Sequence, residues 1–355
     1  QPESSAASDV YKRQAMECRD WFREKLGFEA ITSQTSQHTH KEVINRGHVY
    51  FVLSSAITPA SPVNKFLSLH PPGVADVAFR VRDINSVVAK AVVNGAEILQ
   101  PIQQNLDGLK WAKISGWGDL THTLIQKIND GKDLNSTSQV SMDLGAIDHV
   151  VLNVAKDNLE SAFNWYHRVL DFKPHQNFDI QTNKSGLRSL VMIHPEGGVK
   201  FPINEPTSSN SQVQEFLDAN HGEGIQHIAL HTDNILGVVG ELRSLGLPFL
   251  QVPATYYSSL QTKALSYLSE TDWRKVQDCK ILLDWQEKIP EAMLLQIFTQ
   301  PIFNEPTVFF EFIERKVVWV NGKQIQTPGF GQGNFQALFE AIEREQMKRG
   351  SLGKN

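Results

Sequence analysis

Three short strand-like runs each set one metal-binding side chain among apolar residues: Asp148-His149-Val150-Val151-Leu152, Gln226-His227-Ile228-Ala229-Leu230 and Phe309-Phe310-Glu311-Phe312-Ile313. Two histidines and one carboxylate are the ligand set of the facial triad that holds non-haem Fe(II) with open positions. A glutamate inside Phe-Phe-Glu-Phe-Ile is costly to bury unless it is paired or bound to a cation. Taken singly, either histidine would read as a hydrogen-bonded core residue; the three together point to a metal.

The elements that must aim these side chains come from an internal repeat. Asp20-Trp21-Phe22-Arg23-Glu24-Lys25-Leu26-Gly27-Phe28 echoes Asn164-Trp165-Tyr166-His167-Arg168-Val169-Leu170-Asp171-Phe172, an amphipathic helix end followed by a turn and a strand. Gly73 to Phe79 echoes Gly224 to Leu230, and Thr121-His122-Thr123-Leu124-Ile125 echoes Phe309 to Ile313. Helix-like runs follow at Ile84–Asn94 and Ile235–Leu245, each closed by a glycine and a strand. The chain therefore reads as two copies of an α+β unit. Residues 133–141 are polar and break the pattern, which makes them the linker candidate.

The repeat supplies an internal control. By its alignment His149 maps to Ser5, His227 to Asp76 and Glu311 to Thr123. One copy holds a full ligand set and the other does not, so one metal per chain is expected, in the C-terminal copy. Strand alternation puts His149 with Val151 and Asn153, His227 with Ala229 and His231, and Glu311 with Ile313. It points Gln226 away from His227.

Length and composition set the frame. At 355 residues two domains are expected. Hydrophobic content of 41% with 21% charged residues fits a globular chain, and a net charge of −5 without a long basic run argues against a nucleic-acid surface. Two distant cysteines, Cys18 and Cys279, exclude a disulfide framework or thiolate site. No apolar run reaches about 18 residues, so no membrane span is expected; the expected setting is cytoplasmic. The repeat asks for a strand near residues 3 to 9, but Glu-Ser-Ser-Ala-Ala-Ser-Asp has poor strand propensity. Residues 1–14 are therefore read as non-native or disordered, 15–135 as an N-terminal non-catalytic domain, and 142–355 as the catalytic, metal-binding domain.

The motifs carry a family resemblance. Asp148 to Val154, Pro202-Ile203-Asn204-Glu205-Pro206, Gly224 to Leu230, Leu294-Leu295-Gln296-Ile297-Phe298-Thr299, Phe310 to Arg315 and Gly329-Phe330-Gly331-Gln332-Gly333-Asn334-Phe335 stand in the order seen in the 4-hydroxyphenylpyruvate dioxygenase family. The chain resembles that family from about Asp20 to Gln346. The resemblance implies a tandem of βαβββ vicinal-oxygen-chelate modules forming open barrels, with a C-terminal helix. It implies Fe(II) on His149, His227 and Glu311, and conversion of 4-hydroxyphenylpyruvate and O2 to homogentisate and CO2. The steps are decarboxylation, ring hydroxylation and side-chain migration. The protein would be a homo-oligomer (dimer or tetramer) of tyrosine catabolism. Two alternatives stay open: hydroxymandelate synthase chemistry, and a non-catalytic member of the superfold that binds a metal or small ligand.

The same resemblance places Ser189, Asn204, Gln212, Gln226, Gln296 and Asn334 around the substrate. Amides suit a phenol and a carboxylate because they donate and accept without adding charge. Phe298 and Phe335 would sandwich the ring. The tail has its own pattern. Phe335, Leu338, Phe339 and Ile342 recur at helical spacing after the glycine-rich joint, so residues 334–348 are expected to form a lid helix with Asn334 at its N-cap. Lys316 to Lys323 departs from the family and reads as a hairpin turning at Asn321-Gly322.

Overall fold

The computed structural model describes residues 3–106, 108–127, 144–182, 185–196, 198–286, 289–320 and 322–350. The linker candidate 133–141 lies outside them, as do the side chains of residues 3–13, Phe335 and Leu338. The first half runs α1 (Glu3–Leu26), β1 (Glu29–Thr35), β2 (Thr39–Arg46), β3 (Val49–Ala56), α2 (Pro62–Leu69), β4 (Phe79–Arg80), α3 (Ile84–Val93), β5 (Ile98–Gln104), β6 (Leu109–Ser115) and β7 (Thr121–Lys127). The second half runs β8 (Leu144–Asn153), α4 (Leu159–Leu170), β9 (Lys173–Gln181), β10 (Gly186–Ile193), β11 (Lys200–Pro206), α5 (Gln212–Asn220), β12 (Gly224–Thr232) and α6 (Ile235–Ser244). It continues through α7 (Ala254–Ala264), α8 (Glu270–Cys279), β13 (Leu282–Gln286), β14 (Ile289–Phe298), β15 (Phe309–Arg315), the hairpin β16 (Val317–Val320) and β17 (Lys323–Gln326), and α9 (Phe335–Arg349).

The second half folds around one eight-stranded sheet, ordered β13-β14-β15-β12-β8-β11-β10-β9. The first half repeats that order with one member missing: β5-β6-β7-β4 forms one sheet and β3-β2-β1 another. The vacant place is that of β8, which joins β12 to β11. The residues the repeat assigns to it are instead the opening turns of α1. They are rich in Ser and Ala, and Ala is a strong helix former with little to pack on a pleat. Elsewhere the register is shared. His227 pairs with Phe309 in parallel β12 and β15, and Asp76 pairs with Thr121 in the parallel bridge beside β4 and β7.

Local signals explain the elements nearest the site. α4 buries Leu159, Ala162, Tyr166, Val169 and Leu170, a helical stripe against the sheet, and ends on Asp171 at φ 61°. α5 is capped by Ser211, whose Oγ accepts from the Val213 amide at 3.2 Å; the cap makes Gln212 the first helical residue. β15 is buried along its whole length. Its outward face carries Phe310, which lies 5.9 Å from Phe22 and 5.8 Å from Phe51 of the first half, centroid to centroid. Its other face carries Glu311. The two halves thus share a core behind the candidate ligand. α7 and α8 are an insertion without a counterpart in the first half.

Candidate metal centre

β8, β12 and β15 are neighbours in the sheet, and each delivers one residue to the same point. The ligand atoms of His149, His227 and Glu311 all lie within 4.8 Å of one another. Nε2 of His149 is 3.2 Å from Oε2 of Glu311, and Nε2 of His227 is 3.6 Å from it. All three residues are buried. The far side of each imidazole is fixed: His149 Nδ1–H donates to Asp148 Oδ1 at 2.8 Å, and His227 Nδ1–H donates to Gln226 Oε1 at 3.2 Å. Both Nε2 lone pairs are thereby turned toward the carboxylate.

This arrangement asks for a cation. Acceptors facing one another in a dry pocket need a proton or a metal between them. Oε1 of Glu311 is buried without a hydrogen-bond partner. Two ligands about 2.1 Å from one ion at a right angle stand about 3.0 Å apart, close to the spacing observed. The residues present therefore fit a divalent ion. Burial pushes the Glu311 carboxyl up, but the two histidines outweigh it and hold it below its ordinary value. Burial pushes His149 down, and Glu311 and Asp148 together reverse the sign and raise it. His227 has no carboxylate behind it, and burial keeps it below its ordinary value.

Aromatic rings wall the point. Phe309 stacks on His227 at 4.9 Å and 20°, Phe298 meets His227 edge-on at 6.3 Å, and Phe330 meets His149 edge-on at 5.2 Å. Sequence reasoning gave Phe309 and Phe330 no role. Alternation from Glu311 was the available signal for Phe309, and the Gly329 to Phe335 motif that for Phe330.

Of the expected polar residues, Gln226 contacts a candidate ligand directly, and it walls one cleft together with Gln212. Ser189 and Asn204 face each other across β10 and β11. Asn204 donates to Oδ1 of Asn153 at 3.3 Å, whose own Nδ2 is buried without a partner, as is Oε1 of Gln212. Asn153 was placed on the His149 face but given no function. Gln226 corrects the alternation argument. The β12–β8 register shifts between Ile225 and His227, and this irregularity lets adjacent side chains meet, so Gln226 contacts His227 instead of pointing away.

Asn334 stands at the N-cap position of α9, as expected, but its side chain makes no capping hydrogen bond. Its amide is used elsewhere. Oδ1 accepts from the Tyr256 hydroxyl at 2.7 Å, and Nδ2 donates to Gln296 Oε1 at 3.2 Å. Gly331, at φ 72°, passes so close to Gln296 that a Cβ there would overlap its Oε1. The glycine-rich segment is thus shaped by close approach at this position. Phe339 is buried with Leu187, Val213, Phe216 and Leu217, seating α9 on α5. A narrow cleft runs between α5, α9 and the loop before β15. Its walls include Gln212, Gln226, Thr307, Phe309 and Ile342. The three candidate ligands do not line it; the cleft ends at their neighbours Gln226 and Phe309.

Two tandem copies of one strand order, the second carrying two histidines and a carboxylate on adjacent strands, define a vicinal-oxygen-chelate protein with a candidate facial-triad centre. Comparison with known proteins agrees. Residues 9–144 match the family described as hydroxyphenylpyruvate dioxygenase, HPPD, N-terminal, and residues 146–270 the glyoxalase/bleomycin resistance protein/dioxygenase superfamily. The chain is 36% identical to 4-hydroxyphenylpyruvate dioxygenase of Danio rerio over 94% of its length and 88% of that protein. Against the Caenorhabditis elegans protein of the same name it is 35% identical over 94% and 89%. A triple mutant of 4-hydroxymandelate synthase from Streptomyces coelicolor superposes with a TM-score of 0.79 at 27% identity, covering 93% of this chain and 95% of that one. The chain belongs to the 4-hydroxyphenylpyruvate dioxygenase family and is an enzyme of that type.

Proposed function

We propose that this protein is an Fe(II)-dependent dioxygenase that converts 4-hydroxyphenylpyruvate and O2 to homogentisate and CO2, with His149, His227 and Glu311 as the metal ligands. The convergence of those three side chains on one buried point carries the reading. Iron held by these three side chains would supply the redox chemistry that joins O2 to the 2-oxo acid.

The chain's own residues orient and enclose. Asp148 and Gln226 fix the two imidazoles. Ser189, Asn204, Gln212, Gln226, Gln296 and Asn334 are proposed as the polar surround of the substrate, with buried Nδ2 of Asn153 and Oε1 of Gln212 as groups in need of a partner. Phe298 is proposed as one wall for the ring, beside Phe309. Phe335 is proposed as the other; its backbone opens α9 close to Gln296 through Asn334. α9 closes one side of the cleft through Ile342 and serves as the lid.

The catalytic division is proposed as 142–355, with 15–135 as the non-catalytic domain, because the matching positions Asp76 and Thr123 hold each other at 3.0 Å and Lys113 at 3.1 Å from Asp76. A homo-oligomer acting in the cytoplasm in tyrosine breakdown completes the proposal; its support is the family. No helix among the described residues is long and apolar enough to cross a membrane.

The fold match to the mandelate synthase keeps one second reading in play, because both activities share the fold. The test is to load the protein with Fe(II), supply 4-hydroxyphenylpyruvate and O2, and identify the product. Homogentisate is expected. 4-Hydroxymandelate would move the assignment to the synthase, and metal binding without O2 uptake would make the protein a non-catalytic member.

A further inference from the structure

Arg315 ends β15, four residues beyond Glu311, and its side chain is almost wholly buried. Four of its N–H donations are satisfied in three directions. Nε and Nη2 grip Asp148 Oδ2 and Oδ1 at 2.7 and 2.8 Å, while Nη1 donates to the backbone carbonyls of Thr327 at 3.0 Å and Gly329 at 2.7 Å. Asp148 Oδ1 is the same oxygen that accepts from His149 Nδ1. Lys200 adds a second cation at 3.1 Å from Asp148 Oδ2. The guanidinium also sits 5.8 Å over the Phe330 ring, whose edge meets His149.

We propose that Asp148 and Arg315 are positioning residues for His149, and that Arg315 ties this ligand to the segment that leads into α9, so that metal occupancy and the seating of residues 327–334 depend on one guanidinium. The inference rests on the metal reading above.

Three observations support it. A desolvated arginine–aspartate pair seldom contributes more stability than apolar residues of the same volume, so its presence at this spot calls for another gain. That gain is an imidazole whose ring plane and tautomer are set from behind. The two histidines also differ: His149 is backed by a carboxylate held from two sides, while His227 is backed by a neutral amide at a longer distance. Third, the carbonyls of Thr327 and Gly329 belong to the stretch between β17 and Gly331, which abuts Gln296 and Asn334. A lysine would supply one point charge and could not span Asp148 and both carbonyls as the planar fork does.

The experiment uses the full chain with Co(II) as probe. It measures Co(II) affinity by chelator competition, the visible ligand-field band, and hydrogen exchange of residues 327–334 with and without Co(II). The parent should bind one Co(II) per chain and show slower exchange in 327–334 when it does. Asp148→Asn should weaken Co(II) about 10–100-fold, the range usual for an outer-sphere partner, and shift the band. Arg315→Lys should weaken Co(II) similarly, speed exchange of 327–334, and remove its dependence on Co(II). If Arg315→Lys does not fold, Asp148→Asn and the parent's Co(II)-dependent exchange carry the test. Parent affinity and band in Asp148→Asn would overturn the positioning role. A parent whose 327–334 exchange ignores Co(II) would overturn the coupling. A parent that binds no Co(II) would sink the metal reading itself, a result distinguishable from either.

Discussion

Phe339→Ala tests whether α9 moves as a unit. The ring is 2% exposed and packs on Leu187, Val213, Phe216 and Leu217, a cluster joining α9 to α5 and β10. Phe→Ala in a core costs about 3–5 kcal/mol. The low end applies here, because a terminal helix can settle toward the void. Glu343 still holds the helix through Thr182 Oγ1 at 2.7 Å and Ser185 Oγ at 2.8 Å. A loss of about 3 kcal/mol confined to α9 raises its open population roughly a hundredfold. Hydrogen exchange resolved along the chain reads this directly. Amides in 337–348 should exchange about a hundredfold faster, while β8, β12 and β15 keep the parent's rates. Because Ile342 walls the cleft, turnover should lose coupling between O2 uptake and product. Unchanged exchange in α9 with a lowered global unfolding midpoint would refute the lid: the helix would then be an inseparable part of the core.

Other perturbations bear on other parts of the site. Glu311→Gln removes the one carboxylate of the triad and should weaken metal binding by more than the about 100-fold ceiling usual for outer partners, with the circular dichroism of the parent; calorimetric titration with Co(II) checks this. Tyr256→Phe strips the hydroxyl from Asn334 and from the Leu283 amide, and should cost about 1–2 kcal/mol of stability and raise KM while metal affinity stays put, as steady-state kinetics would show. His122 is buried with its pKa held down to about 4 by burial. It donates from Nδ1 to Val77 O and accepts at Nε2 from Tyr166. As pH falls below about 6.5 the unfolded chain takes up a proton that the folded chain refuses, so stability drops by about 1.4 kcal/mol per pH unit, about 3 kcal/mol by pH 4. Urea unfolding at pH 7 and 4.5 should show a steeper loss for the parent than for His122→Gln, and equal losses would refute the assignment.

What the sequence revealed depended on locality. His149, His227 and Glu311 stood out as candidates because each is a metal-binding side chain in a largely apolar strand, and because the repeat supplied a copy lacking them. The turn residues placed a hairpin over Lys316 to Lys323, and the strands pair over Val317–Val320 and Lys323–Gln326. Gln226 was misdirected because a one-residue shift in register reverses alternation, and nothing local announces it. Asn334 looked like a cap because cap propensity is local, whereas Tyr256, which claims its side chain, lies 78 residues away. Arg315 could not be read as a hub, since its partners come from Asp148, Thr327 and Gly329. Helices α7 and α8 have no counterpart in the repeat, so the internal comparison was blind to them and to Tyr256.

The two copies set different side chains on one backbone register, a candidate ligand trio in one and a self-satisfied carboxylate in the other. At the place of His227 and Glu311 the first half has Asp76 and Thr123, and the strands meet in the same parallel register. There Asp76 Oδ2 accepts from Thr121 and Thr123 at 2.6 and 3.0 Å and pairs with the Lys113 ammonium at 3.1 Å. Hydroxyl donors and a tethered cation supply what a metal would, so the carboxylate is satisfied within the chain. The strand that would carry a third ligand is not in the sheet. At the second site Glu311 faces the two imidazoles, the Lys200 and Arg315 cations are engaged by Asp148, and one carboxylate oxygen has no hydrogen-bond partner. Placing a lysine or a hydroxyl donor there would remove the demand for a metal while keeping the fold. The difference between the copies therefore lies in whether the protein provides its own positive charge.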